Sequence, residues 1–149
     1  MKTIFDKEAY QEIDSRLNKL NAETKAQWGQ MDVAQMMAHC QEAFKTATGE
    51  VKRPRIFMGY IMGPLFKGML INDKPYPKGV RTDPNYIITD KKDFTTEKEK
   101  LASVIKRFHE GGEKNATTHT HPFFGKFTQK EWGITMYKHL DHHLKQFGV

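Results

Sequence analysis

The 149-residue chain carries 24 lysines and arginines against 18 aspartates and glutamates, a formal charge of +6, and one cysteine. That length suits a single domain, residues 1–149, large enough to bury a core without staples, and the lone Cys40 excludes an internal disulfide framework. The cation excess raises nucleic acid as a partner, yet lysines alternate with acids through "TTEKEKLASVIKRFHEGGEK" and only "VKRPR" is a basic cluster, so solvated helix faces and no nucleic-acid partner are expected.

The first ten residues, "MKTIFDKEAY", hold charges at positions 2, 6, 7 and 8 and no apolar run of signal-peptide length, which together with the single cysteine gives the expectation of a cytoplasmic protein. Phosphate-loop, dinucleotide-fold and serine-hydrolase signatures are absent. In chain order, a first helix is expected from Asp6 to Leu20, where Tyr10, Ile13, Leu17 and Leu20 recur at steps of three and four. A second starts at Asp32, an N-cap with Gln35 three residues on, and stops at Gly49. Some 45 residues rich in Pro, Gly and aromatics follow, too long for a hairpin connection. They suit a crossover that contains a broken helix from about Arg55 to Leu70. Its apolar run "IFMGYIMGPLFKGMLI" is shorter than a span of about 20 residues and contains Pro64 and Lys67, so it reads as a connecting element that covers the core or a dimer contact, and no membrane partner is expected. A third bundle helix is expected from Thr96, boxed with Glu99, to His109 before a Gly pair. The last runs from Thr128, boxed with Glu131 and stapled by Phe127 on Trp132, to Gly148. The sum is an all-α fold, a four-helix bundle with a long crossover between helices two and three, and such bundles build metal sites from inward-facing side chains.

The last helix contains "YKHLDHHLKQF". With Trp132 at zero and about 100° per residue, Met136, Leu140 and Phe147 fall between about 40° and 80°, His143 at about 20° and His139 at about −20°. His142 falls on the shoulder at about −80°, and Asp141 points away at about 180°. One inward histidine is ordinarily satisfied by a carbonyl or a water. Two of them one turn apart in an apolar setting each need a partner, and a shared cation supplies both. On the second helix His39 lies at the margin of the apolar face and is the best candidate for closing a site between two packed helices. Cys40, nearer the middle of that face, reads as a small buried hydrophobe rather than a thiolate ligand. His119 and His121, in "THTHPFFGKF", have the spacing of a possible chelate but suit a pocket mouth better. His109 ends its helix and complements the dipole there. No general base is found: Asp141 faces away from the histidines and Glu42 lies opposite the apolar arc, so catalytic residues stay unassigned.

The blocks "WGQMDVAQMMAHCQEAF" and "HPFFGKFTQKEWGITMYKHLDHHLKQFG" resemble the DinB/YfiT-like superfamily of bundle proteins, in a branch of uncharacterised function. The resemblance implies the four-helix bundle with its crossover, often a homodimer, and a divalent metal held by His39, His139 and His143, with Gln146 setting the register and excluding His142. Zinc is the first expectation, with nickel, iron or copper also suited to neutral imidazoles. Three protein ligands leave an open position, filled by water, by a small-molecule substrate such as a low-molecular-weight thiol, or by His119 or His121. The expected function is a metal-dependent enzyme, a thiol-dependent transferase or a hydrolase, with a metal-binding module without turnover as the alternative.

Overall fold

Side-chain caps open the two helices that carry the histidine cluster. In the computed structural model, which describes residues 1–79 and 83–149, Asp32 accepts from the Gln35 amide while the Gln35 side chain accepts from the Asp32 amide. Thr128 and Glu131 reciprocate in the same way, at 3.1 and 2.7 Å. Each box satisfies two of the amides that a helix start leaves without partners. The helices are α1 (Lys7–Lys19), α2 (Val33–Thr48), α3 (Phe57–Leu70), α4 (Phe94–Gly111) and α5 (Gln129–Gln146), with short 3₁₀ turns at Pro84–Tyr86 and Gly112–Asn115. Among the described residues there is no strand, only an isolated bridge between His121 and Gly125. No helix of the described residues is long and apolar enough to cross a membrane.

Two boundaries differ from the sequence reading. α4 begins at Phe94, because Asp93 accepts from the Thr96 amide and caps the helix three residues before the Thr96–Glu99 pair could. α3 runs unbroken through Pro64. A proline deprives the carbonyl four residues back of its partner. Here that carbonyl belongs to Tyr60, on the exposed side of the helix, where water can replace the lost bond.

α2 packs against α4 and α5, and α1 against the same two. Their apolar stripes meet in one core built on Ile13 and Leu17, Met36, Met37 and Phe44, Leu101, Ile105 and Phe108, and Trp132, Met136 and Leu140. Phe44 meets Phe108 edge to face at 5.4 Å. Asp141 turns away from the histidines as expected, but towards α1 rather than solvent. It takes the Arg16 guanidinium at 2.8 Å, while the other Arg16 nitrogen reaches the Val149 carbonyl at 3.0 Å.

α3 is held against α5 by Lys67, which pairs with Glu131 at 2.9 Å, and by Lys138, whose ammonium donates to the Met69 and Asn72 carbonyls at 2.7 and 2.8 Å. The Met69 carbonyl belongs to the last turn of α3 and the Asn72 carbonyl follows just beyond it, at the negative end of the helix where a cation is favoured. Of the roles the sequence left open for this connecting element, the helix is the partly exposed one and covers little of the core: only Gly59, Gly63 and Leu70 are buried.

Candidate metal centre

His39 on α2 and His139 and His143 on α5 converge between the two helices, with one ring nitrogen of each lying within 4.8 Å of the others. On α5 the four-residue step brings the two rings together one turn apart, edge to face with centroids at 4.7 Å. The His39 ring is 4.7 Å from His143 and 5.0 Å from His139. His39 is buried rather than marginal, because the crossover returns over it: the Pro84–Tyr86 turn places the Tyr86 carbonyl 2.8 Å from His39 Nδ1.

The outer hydrogen bonds fix two tautomers. A carbonyl only accepts, so His39 carries its proton on Nδ1 and turns a lone pair at Nε2 inward. Gln146 does the same for His143. Its Nε2 donates to the Trp28 carbonyl at 2.6 Å, which orients the amide so that Oε1 accepts from His143 Nδ1 at 2.8 Å. Outer partners of this type orient ligating imidazoles. His139 is held differently. Its Nε2 lies 3.0 Å from His39 Nε2, and its Nδ1 is enclosed without a hydrogen-bond partner.

The donor set fits a cation. Two fixed lone pairs share the cluster with a third imidazole that has one proton to offer, so hydrogen bonding within the cluster leaves a nitrogen unserved, whereas an ion serves all three. The 3.0 Å separation of the two Nε2 atoms is near the edge of about 3.3 Å between nitrogens bound at 2.0–2.1 Å to a tetrahedral ion. All three imidazoles are held neutral, as ligation requires. Burial lowers the pKa of His39, burial and the neighbouring histidines hold His139 well below the ordinary value, and burial brings His143 down to about 3.

The other histidines lie outside the cluster. His142 is on its rim, 5.1 Å from the His143 ring, edge-on to Trp28 and tilted against Tyr76. His119 is exposed and near the Arg53 carbonyl. His121 is buried, but against Phe124 and Trp132, where its Nδ1 accepts from the Phe123 and Phe124 amides. Neither joins the three-histidine group. His109 stacks on Tyr10 at 4.3 Å and donates to the Ile4 carbonyl. Cys40 is a buried hydrophobe whose thiol is pushed up by burial, consistent with its non-ligand reading. Sequence reasoning missed the carbonyls of Tyr86 and Trp28, which are backbone groups that leave no mark on side-chain patterning.

No curated protein and no solved structure matches the chain. The resemblance to the DinB/YfiT-like superfamily is not upheld. It rested on two blocks, "WGQMDVAQMMAHCQEAF" and "HPFFGKFTQKEWGITMYKHLDHHLKQFG", and what these carry, a histidine on one helix facing a histidine pair and a glutamine on another, is a way of orienting imidazoles that does not by itself mark one family. The family model that matches is a distinct one described as "Protein of unknown function (DUF1569)"; it covers residues 5–148, and the chain belongs to that family.

Proposed function

We propose that the protein binds a divalent metal through His39, His139 and His143 and uses its free coordination position as a Lewis-acid site, as a hydrolase or a transferase. The observation that carries this reading is the pair of outer hydrogen bonds, His39 to the Tyr86 carbonyl and His143 to Gln146, which leave the Nε2 lone pairs of both rings free in a group that includes His139. A divalent ion held there would lower the pKa of a bound water or thiol. The chain's own part is to hold the imidazoles neutral and fixed in rotation, with α1, α2, α4 and α5 as a four-helix frame and the segment between α2 and α4 as its crossover. The preference for thiols came with the superseded resemblance. The donor set itself serves water and thiol alike, and zinc remains the first choice of ion.

One observation favours a second reading, a metal-binding module without turnover. Among the described residues no carboxylate joins the cluster: Asp141 is paired with Arg16 and Lys145, and Glu42 with Lys45 and Arg53. A general base must therefore come from the substrate or from His142 on the rim. Elemental analysis of protein purified without a metal-affinity tag tests the site, with one divalent ion per chain expected. Titrating the cobalt-substituted protein with thiols and small anions then separates the readings. A shifted visible spectrum is expected for the enzyme, and none for a closed site.

A further inference from the structure

α3 buries its narrow face and exposes its apolar one. Its buried residues, Gly59, Gly63 and Leu70, lie within about 40° of one another at 100° per residue, and the row Phe57, Ile61 and Leu65 is centred on the opposite side. These three are 78%, 56% and 74% exposed, with Met58, Tyr60 and Phe66 beside them. The orientation is set by the seat. A Cβ at Gly59 or Gly63 would run into the Phe123 backbone, so only the glycine side of the helix can approach the loop before α5, and the bulky side is left outward. An outward row of Phe, Ile and Leu contributes nothing to this chain's own core.

The charge around that row selects what meets it. From Val51 to Asn72 there are four cations, Lys52, Arg53, Arg55 and Lys67, and no acid. Arg53 is paired with Glu42 and Lys67 with Glu131. Among the described residues no carboxylate pairs with Lys52, Arg55 or the exposed Lys126, whose backbone carbonyl accepts from Lys67. Uncompensated cations thus stand at both ends of the apolar row. At the N-terminal end they border an open cleft of about 390 Å³ lined by Arg53, Pro54, Arg55, Tyr60, His119 and Thr120. The Arg55 guanidinium stacks 4.3 Å over the Tyr60 ring and its buried Nε has no partner.

We propose that α3 is a membrane-surface element: it lies in the plane of an anionic lipid bilayer, with Phe57, Ile61 and Leu65 among the acyl chains and Lys52, Arg55 and Lys126 at the phosphates. An apolar helix face flanked by cations is what binds such an interface without spanning it. A second copy of this chain fits the face less well. It would bring the uncompensated cations of both copies together, whereas an anionic surface neutralises them. The sequence reading of no membrane partner considered spanning segments, and a helix lying on a surface is a separate case.

Co-sedimentation with vesicles tests this on the whole protein, comparing phosphatidylcholine alone with phosphatidylcholine containing phosphatidylserine. Binding at least about ten-fold stronger to the anionic vesicles, falling as salt is raised, is expected. Phe57→Ser with Leu65→Ser, and separately Lys52→Glu with Lys126→Glu, should each lower it at least about ten-fold. All four residues are exposed, and unchanged helical circular dichroism and thermal midpoint check the fold of each variant. No binding to anionic vesicles, or binding that survives both pairs of substitutions, overturns the proposal. So does a concentration-dependent dimer that Phe57→Ser with Leu65→Ser dissociates, since the face would then be covered by a second copy.

Discussion

Gln146 Oε1 accepts from His143 Nδ1 at 2.8 Å, and the glutamine is itself pinned by the Trp28 carbonyl. The loop before α2 therefore reaches the histidine cluster through one side chain of α5. Gln146→Leu should weaken metal binding by about 10–100-fold, the usual effect of losing an outer-shell partner. Gly29→Ala should act in the same direction while leaving Gln146 and the histidines in the sequence, because a Cβ there strikes the Gln146 amide and the φ of +87° disfavours it. Competition with a chromophoric chelator measures both. Affinity equal to that of the unsubstituted protein in both variants would remove Gln146 from the site.

His142 and His143 are adjacent in the chain but differ in role. His143 belongs to the converging group, whereas His142 lies against Trp28 and Tyr76. His143→Ala is expected to lose stoichiometric metal and His142→Ala to keep it, as read by elemental analysis after dialysis. Equal loss in both variants would contradict this division of the helix face.

Buried His121 gives the fold a pH dependence separate from metal. Burial lowers its pKa to about 4, whereas the unfolded chain's imidazole takes a proton near 6.5. Between those values the unfolded state binds more protons. Stability is therefore unaffected above about pH 6.5 and declines as pH falls towards 4, with a slope of up to about 1.4 kcal/mol per unit from this residue. His121→Asn keeps an acceptor for the Phe123 and Phe124 amides but does not titrate. Urea midpoints at pH 7.5 and 5.0 should drop less in His121→Asn than in the unsubstituted protein; parallel drops would show that His121 is not held neutral.

The readable parts of this protein were those determined by local chemistry. The boxes at Asp32 and Thr128 mark the starts of α2 and α5, and the spacing of His139 and His143 relative to Leu140 and Met136 shows which histidines turn inward. What depended on tertiary return of the chain was not readable. His39 sits at the edge of its helix's apolar face, and only the Pro84–Tyr86 turn, 47 residues on, encloses it. α3 shows the same limit from the other side. Its residues are apolar enough for a core, and the glycines that turn them outward are interpretable only once the Phe123 backbone is in place.

Gly63 is the tightest point of that seat, and substituting it separates α3 placement from α3 composition. A Cβ at Gly63 meets the Phe123 carbonyl oxygen, a backbone atom fixed by the bridge between His121 and Gly125, so neither side can yield by a rotamer change. Alanine is the better helix former by about 1 kcal/mol, which would favour Gly63→Ala if the position were open. Against a backbone oxygen the steric term dominates: overpacking costs about 1–3 kcal/mol, and α3 can relieve it only by lifting off the loop. Lifting weakens the Lys67–Glu131 pair and the Lys138 cap at the helix end. Gly63→Ala should therefore lower the urea midpoint and increase amide exchange along α3 and in residues 121–125. Gly68→Ala is the control, since a Cβ there meets nothing within 4 Å and should be neutral or stabilising. Metal content should be retained in both, because α3 contributes no ligand. If Gly63→Ala proved as stable as Gly68→Ala, α3 would not be seated on the Phe123 backbone as described.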